Sequence, residues 1–173
     1  FLQLLLSKKV FLVEGATEFL LLPMFYQQIT GHTIEEDGIS VISCNGISYM
    51  RYLEIAQATD KRIAVITDND EKEHRITNAA SFNQANNLQH IFMGATVKDW
   101  TWEACIYKEN KDTLDGMVDV QSGAEYKFRG NVYEPALGKM LNHKVDVAYQ
   151  MLTSGKTFVV PQYIKDAIGW LRE

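Results

Sequence analysis

The sequence has few cysteines, no long apolar run and no excess of positive charge. Its two cysteines, Cys44 and Cys105, stand in apolar surroundings without metal-ligand spacing. We therefore expect reduced core residues, not a disulfide or a zinc site. The longest apolar stretch, residues 19–26, is far shorter than the roughly 20 residues that span a bilayer. Because the start also lacks the basic, apolar and cleavage regions of a signal peptide, the sequence predicts a cytoplasmic protein without a membrane partner.

The net charge of −5 disfavours a simple electrostatic nucleic-acid binder, because Lys and Arg neutralise the phosphates in such complexes. Several of the negative charges, however, fall in two short strings, where bound divalent cations would reverse the local sign. The charge therefore does not exclude DNA as a partner. With 173 residues, 46% of them apolar, the chain suits one globular domain.

Apolar runs alternate with helical patterns in the first half of the chain. Strands are predicted at residues 9–13, 39–43, 62–66 and 89–93, and helices at residues 17–30, with a kink at Pro23, and 48–58. This alternation predicts an α/β fold with a mainly parallel sheet and helices on both faces. Beyond it, a helical C-terminal extension is predicted at residues 102–110, 133–142, 144–153 and 161–172, with a glycine-containing connector at 122–130 and no further strand.

Two acidic strings follow predicted strands. Glu14 ends the first strand, and Glu18 lies four residues further on, so both carboxylates can face one opening across Gly15. Asp68 and Asp70 follow the third strand and would share one side of an extended chain. Since the carboxyl ends of parallel strands lie at the same edge, these carboxylates would converge there.

Carboxylate oxygens in such a group are the ligands that Mg²⁺ or Mn²⁺ prefers. Taken singly, each string has a simpler interpretation: a charge pair at a helix N-terminus, or aspartates in a turn. Their joint occurrence on one sheet favours a metal site.

A strand that ends in Glu-Gly, followed by a strand that ends in Asp-x-Asp, resembles the Toprim fold of topoisomerases, primases and several nucleases. More narrowly, the sequence resembles the C-terminal Toprim domain of OLD-family (overcoming lysogenization defect) ATP-dependent nucleases. The resemblance is carried by residues 10–18, 20–23, 38–42, 101–103 and 160–168. It implies one Toprim domain over residues 1–173, with the core at about 8–110 and a helical part at about 131–173.

The resemblance also implies a divalent-metal-dependent DNA endonuclease that uses two-metal catalysis. It assigns the metal ions to Glu14, Glu18, Asp68, Asp70 and Glu103, and the catalytic roles to Glu14, Asp68 and Lys144. Lys144 opens a Lys-x-x-x-Ala pattern and would stabilise the transition state; Lys156 is its rival, and Asp99 is a further candidate ligand. Glu103 and Lys144 could instead be ordinary surface residues.

OLD-family members carry an N-terminal ABC-type ATPase region, through which ATP would act and the protein could form homo-oligomers. This chain has no Gly-x-x-x-x-Gly-Lys-Ser/Thr loop and opens without methionine, so we expect a C-terminal piece that works with such a region, in phage defence or DNA repair. Two alternatives stay open: another Toprim activity, as in topoisomerases or primases, and a receiver-like, non-enzymatic module that binds Mg²⁺.

Overall fold

The computed structural model describes residues 2–173 and has a parallel sheet at its centre. The strands of this sheet are β1 (Lys9–Val13), β2 (Ile39–Ser43), β3 (Arg62–Ile66) and β4 (Gln89–Phe92). They pair in the order β2-β1-β3-β4, and every pair is parallel. Since β1 and β3 have a neighbour on each side and helices cover both faces, the predicted α/β architecture is confirmed.

The two central strands divide the apolar interior into two layers. Along β1, Phe11 and Val13 face one core, whereas Val10 and Leu12 face the other, and all of these side chains are fully buried. This alternation follows from the two-residue period of a strand. It explains why β1 reads as a continuous apolar run in the sequence.

The helices flank this sheet and extend beyond it toward the C-terminus. They are α1 (Leu2–Leu6), α2 (Ala16–Thr30), α3 (Tyr49–Ala56), α4 (Glu73–Ala85), α5 (Trp102–Glu109), α6 (Lys111–Met117), α7 (Pro135–Asn142), α8 (Lys144–Thr153) and α9 (Gln162–Arg172). Helix α2 continues through Pro23. None of the helices within residues 2–173 is both long and apolar enough to cross a membrane.

The prediction of no further strand after residue 93 was wrong. Two short antiparallel strands, β5 (Tyr126–Phe128) and β6 (Asn131–Tyr133), form a hairpin. Arg129 and Gly130 form its turn, both with positive φ, as two-residue hairpin turns require. Strands of three residues are too short to show a hydrophobic period, which is why the sequence pattern missed them.

Helices α1, α4 and α6 were also not predicted. Helix α4 occupies most of the polar stretch after β3, and Ala79 is its only buried residue. Because most of α4 faces solvent and is polar, it lacks the apolar stripe by which amphipathic helices are recognised. The helix begins at Glu73, within the charged segment 70–74.

Candidate functional site

The site lies at the switch point of the sheet, where successive strands are added on opposite sides of the starting strand. Strand β2 follows β1 on one side of the sheet and β4 follows β3 on the other, so a crevice opens between the carboxyl ends of β1 and β3. Glu14 follows β1, and Thr67 follows β3; the Thr67 hydroxyl donates a hydrogen bond to Glu14 Oε1. The two strand ends are thereby joined directly.

Glu18 lies in the first turn of α2 and is buried. A Cβ atom at Gly15 would lie 3.0 Å from Glu18 Oε2, so the absence of a side chain at Gly15 makes room for this carboxylate. Burial is the main cause that raises the pKa of Glu18 to about 7; a backbone hydrogen bond lowers it, and the charges of Glu103 and Glu14 raise it further. Glu18 therefore lies in a site with an excess of negative charge.

Asp68 is two residues beyond β3. Burial, followed by the charges of Glu103 and Glu18, holds the pKa of Asp68 well above its usual range. The backbone N–H of Trp102 donates to Asp68 Oδ1 at 2.8 Å, which acts in the opposite direction. This hydrogen bond links the end of β3 to the start of α5.

Glu103 and Lys144 complete the group from outside the sheet. Thr101 caps α5: its hydroxyl accepts from the Glu103 N–H at 3.3 Å and donates to the Glu103 carboxylate. Lys144, the first residue of α8, donates from Nζ to Glu103 Oε2 at 3.0 Å. Glu103 is 2% exposed, and Lys144 keeps 43% of its side chain exposed.

The pKa of Lys144 is raised overall. Burial acts to lower it, but the charge of Glu103 and the hydrogen bond to that carboxylate outweigh this effect. Lys144 therefore stays protonated beside the carboxylates. The structure thus brings Glu14, Glu18, Asp68, Glu103 and Lys144 into one electrostatically connected group.

Asp70 is placed differently from the sequence expectation. The expected extended conformation was wrong, because Asp70 and Glu71 both have positive φ and turn the chain. Asp70 forms an ion pair with Arg75, and Arg129 Nη1 lies 3.8 Å from its carboxylate. Asp70 therefore faces arginines, whereas Asp68 faces other carboxylates.

Asn69 lies between these two aspartates and anchors their loop. It is fully buried, and its amide donates to the carbonyl oxygens of Gly94, Thr96 and Asp99 at 2.9–3.1 Å. Its side-chain oxygen accepts from the Glu71 N–H at 3.0 Å. These bonds fasten the loop after β3 to the loop after β4.

The other sequence candidates lie outside this group. Asp99 pairs with Lys108 at 2.9 Å. Lys156 has an exposed side chain and forms no ion pair with any residue in the described range 2–173. Thr67 was missed, since a lone threonine after a strand carries no pattern that indicates its contact with Glu14.

The geometry and the chemistry of these side chains both bear on whether the site can bind a metal ion. Within residues 2–173, no three Asp, Glu, His or Cys side chains are grouped closely enough to hold an ion as they stand. Their oxygens instead accept protein hydrogen bonds, as Asp68 does from Trp102 and Glu103 from Lys144. The donor chemistry nevertheless fits Mg²⁺ or Mn²⁺, because buried carboxylates that repel one another are stabilised by a hard cation.

The raised pKa of Glu18 predicts how the stability of the metal-free protein depends on pH. Between its ordinary value of 4.5 and its folded value of about 7, the folded protein binds a proton that the unfolded chain has lost. This contribution is present below the lower value and is lost as the pH rises through the upper one, which amounts to about 3 kcal/mol of unfolding free energy. Urea unfolding at about pH 5 and about pH 8 measures the loss.

Glu18→Gln should make this loss smaller, because the amide does not titrate and carries no charge; the raised pKa of Asp68 accounts for the remainder. The matched control is Glu54→Gln on the exposed face of α3, which should keep the wild-type pH dependence. An equal loss of stability in the Glu18→Gln and Glu54→Gln proteins would contradict the assignment of the pH dependence to Glu18.

A glutamate after the first strand and an aspartate after its neighbour, at the switch point of a parallel sheet, are the arrangement of a Toprim-like fold. Residues 5–70 match the family model described as "Overcoming lysogenization defect protein-like, TOPRIM domain". Over these residues the sequence is similar to an OLD-like Toprim domain, which confirms the predicted resemblance.

Solved structures extend the comparison over nearly the whole fold. The C-terminal region of the Burkholderia pseudomallei OLD protein matches with a TM-score of 0.68 and 15% identity, covering 96% of this chain and 98% of that one. The C-terminal region of the Xanthomonas campestris pv. campestris OLD protein matches with a TM-score of 0.68 and 17% identity, covering 98% and 94%. A comparison with curated proteins found no match.

Proposed function

We propose that this domain is a divalent-metal-dependent DNA endonuclease that cuts phosphodiester bonds. The observation that carries the proposal is the group of buried carboxylates, with Lys144 beside them, at the switch point of the sheet. Such a group concentrates negative charge that a divalent cation would neutralise, and it supplies one ammonium group to face a phosphate. The OLD-like Toprim family supports the same function.

In this proposal, the ligands of Mg²⁺ or Mn²⁺ would be Glu14, Glu18, Asp68 and Glu103. Asp70 forms an ion pair with Arg75, so its role as a ligand stays a prediction from the sequence. Two such ions would supply an activated water and stabilisation of the leaving oxygen. The chain itself supplies orientation and charge. Thr67 fixes Glu14, the Trp102 N–H fixes Asp68, and Lys144 would stabilise charge on the phosphate.

The resemblance to the same family supports a set of partners for the site. DNA is the proposed substrate, and an N-terminal ABC-type ATPase region of a longer protein would couple ATP to cutting and bring the chains together as homo-oligomers. We place this activity in the cytoplasm, in phage defence or DNA repair, and propose residues 1–173 as a single domain.

The test is nicking of supercoiled plasmid by this chain in Mg²⁺, in Mn²⁺ and in EDTA. Open-circular product is expected with either metal and not in EDTA, because the carboxylates repel the phosphate backbone when no cation is bound. Thermal unfolding with and without each metal shows independently whether ions bind. A metal-dependent rise in melting temperature without any nicking would contradict the proposed activity of this chain.

A further inference from the structure

A basic and aromatic surface adjoins the carboxylates through the β5–β6 hairpin. Arg129, at the turn of the hairpin, is 61% exposed. Its guanidinium lies 5.2 Å from the ring centre of Phe128 and 5.9 Å from that of Trp100, and these two rings stack at 6.0 Å. The rings pack against one face of the guanidinium group, so its N–H groups can still donate hydrogen bonds to an acceptor.

Arg129 approaches Asp70 without bonding to it. The distance from Arg129 Nη1 to Asp70 Oδ1 is 3.8 Å, which is too long for a hydrogen bond. On the other side of the same carboxylate, Arg75 forms a direct ion pair. Two guanidinium groups thus share one carboxylate, which leaves an excess of positive charge beside a strongly acidic site.

A cavity is lined both by the Asp70–Arg75 ion pair and by Glu14 of the carboxylate group. It has a volume of about 440 Å³. Tyr49 and Gly46 also line it. A ligand of nucleotide size fits such a volume, and it would contact both Arg75 and Glu14, the residue after β1.

The hairpin that carries Arg129 is fixed against α7. A Cβ atom at Gly138 would lie 2.3 Å from Tyr126 Cβ, so the hairpin packs directly on the helix backbone. Asn142 Nδ2 donates to the carbonyl oxygen of Lys127 at 2.9 Å, and the Tyr126 hydroxyl accepts from the Gln121 N–H at 2.9 Å. The position of Arg129 is therefore set by the fold.

We infer that Arg129 and Arg75 bind backbone phosphates of the DNA strand beside the carboxylate site. Guanidinium groups match phosphate geometry with two parallel hydrogen bonds, and a guanidinium held on aromatic rings loses little freedom on binding. The net charge of −5 would by itself repel DNA. The two arginines offset this repulsion locally, because they concentrate positive charge where the DNA strand would bind. The inference rests on the proposed function for its choice of ligand.

The test measures binding separately from cutting. A fluorescently labelled DNA duplex is titrated in Ca²⁺, and anisotropy gives Kd at several salt concentrations. Arg129→Ala and Arg75→Ala should each raise Kd about 5- to 10-fold and reduce the slope of log K against log salt by about 0.9 per lost phosphate contact. Arg129→Lys should weaken binding less, because it keeps the charge but loses the planar fork.

The control is Lys8→Ala, which removes one exposed positive charge directly before β1, at the opposite edge of the sheet. The inference is overturned if Arg129→Ala, Arg75→Ala and Arg129→Lys all have the same Kd and salt slope as the Lys8→Ala protein. It is also overturned if the wild-type protein does not bind the duplex. Arginine-dependent binding without plasmid nicking in Mg²⁺ or Mn²⁺ would support the inference and contradict only the proposed nuclease function.

Discussion

Asp68→Asn is expected to abolish metal-dependent plasmid nicking, lowering the rate about a thousandfold or more. Asp68 lies at the switch point of the sheet, where its carboxylate is surrounded by Glu103, Glu18 and Glu14. A metal ion placed among these side chains would have Asp68 as a central ligand, and an amide oxygen binds Mg²⁺ far more weakly than a carboxylate does. The measurement is the initial nicking rate at saturating Mg²⁺ or Mn²⁺.

The asparagine variant separates chemistry from folding. Its amide oxygen can still accept the hydrogen bond from the Trp102 N–H, so the link between β3 and α5 is retained. Because the repulsion from neighbouring carboxylates is removed, the metal-free variant should be at least as stable as wild type at about pH 8. The metal-induced rise in melting temperature should shrink, since one ligand is lost.

Asp60→Asn is the matched control. Asp60 is exposed and precedes β3 by two residues, so the same substitution is made at the opposite end of the same strand. It should nick at the wild-type rate. Equal rates for Asp60→Asn and Asp68→Asn would exclude Asp68 from the reaction.

Lys144→Ala is expected to lower the nicking rate about 100- to 1000-fold while the metal still binds. The Lys144 ammonium is held 3.0 Å from Glu103 Oε2 and still has part of its side chain open to solvent. It can therefore reach a bound phosphate and stabilise the charge that develops on its oxygens. Single-turnover nicking together with metal-dependent melting measures both properties.

Lys156→Ala tests the rival that the sequence offered. Lys156 is exposed in the segment after α8, and within residues 2–173 no carboxylate pairs with it. Its replacement should leave nicking unchanged. A large loss of nicking rate with Lys156→Ala and none with Lys144→Ala would transfer the predicted role to Lys156.

Lys144→Arg should nick faster than Lys144→Ala but more slowly than wild type, because the guanidinium group keeps the positive charge beside Glu103 but differs in shape from the ammonium group.

The two central strands of the sheet could be predicted because they are buried on both faces. Residues 9–13, 39–43 and 62–66 form strands with the predicted bounds. A central strand has apolar neighbours above and below, so its sequence is apolar after the first residue, and its C-terminal end is marked by the next polar residue. Helices α5 and α8 were predicted within one residue for a similar reason, since each buries several apolar side chains.

The β5–β6 hairpin and α4 escaped prediction because little of either is buried. Strand β6 has no buried residue, and α4 has one. Such elements are stabilised by contacts with the rest of the fold, as Tyr126 is by the space at Gly138. A pattern of buried residues cannot reveal an element that buries almost nothing.

The sequence by itself determined the apolar strands and placed Glu14 and Asp68 after two of them, because strand ends and parallel topology follow from local patterns. Only the tertiary structure decided that Lys144 meets Glu103 across 41 positions of the chain and that Asp70 faces Arg75 and not Asp68. The physical reason is that the pairing of charged side chains depends on how helices pack and how loops are tied together. Asn69 does the latter through the carbonyls it binds, and neither feature leaves a period in the sequence.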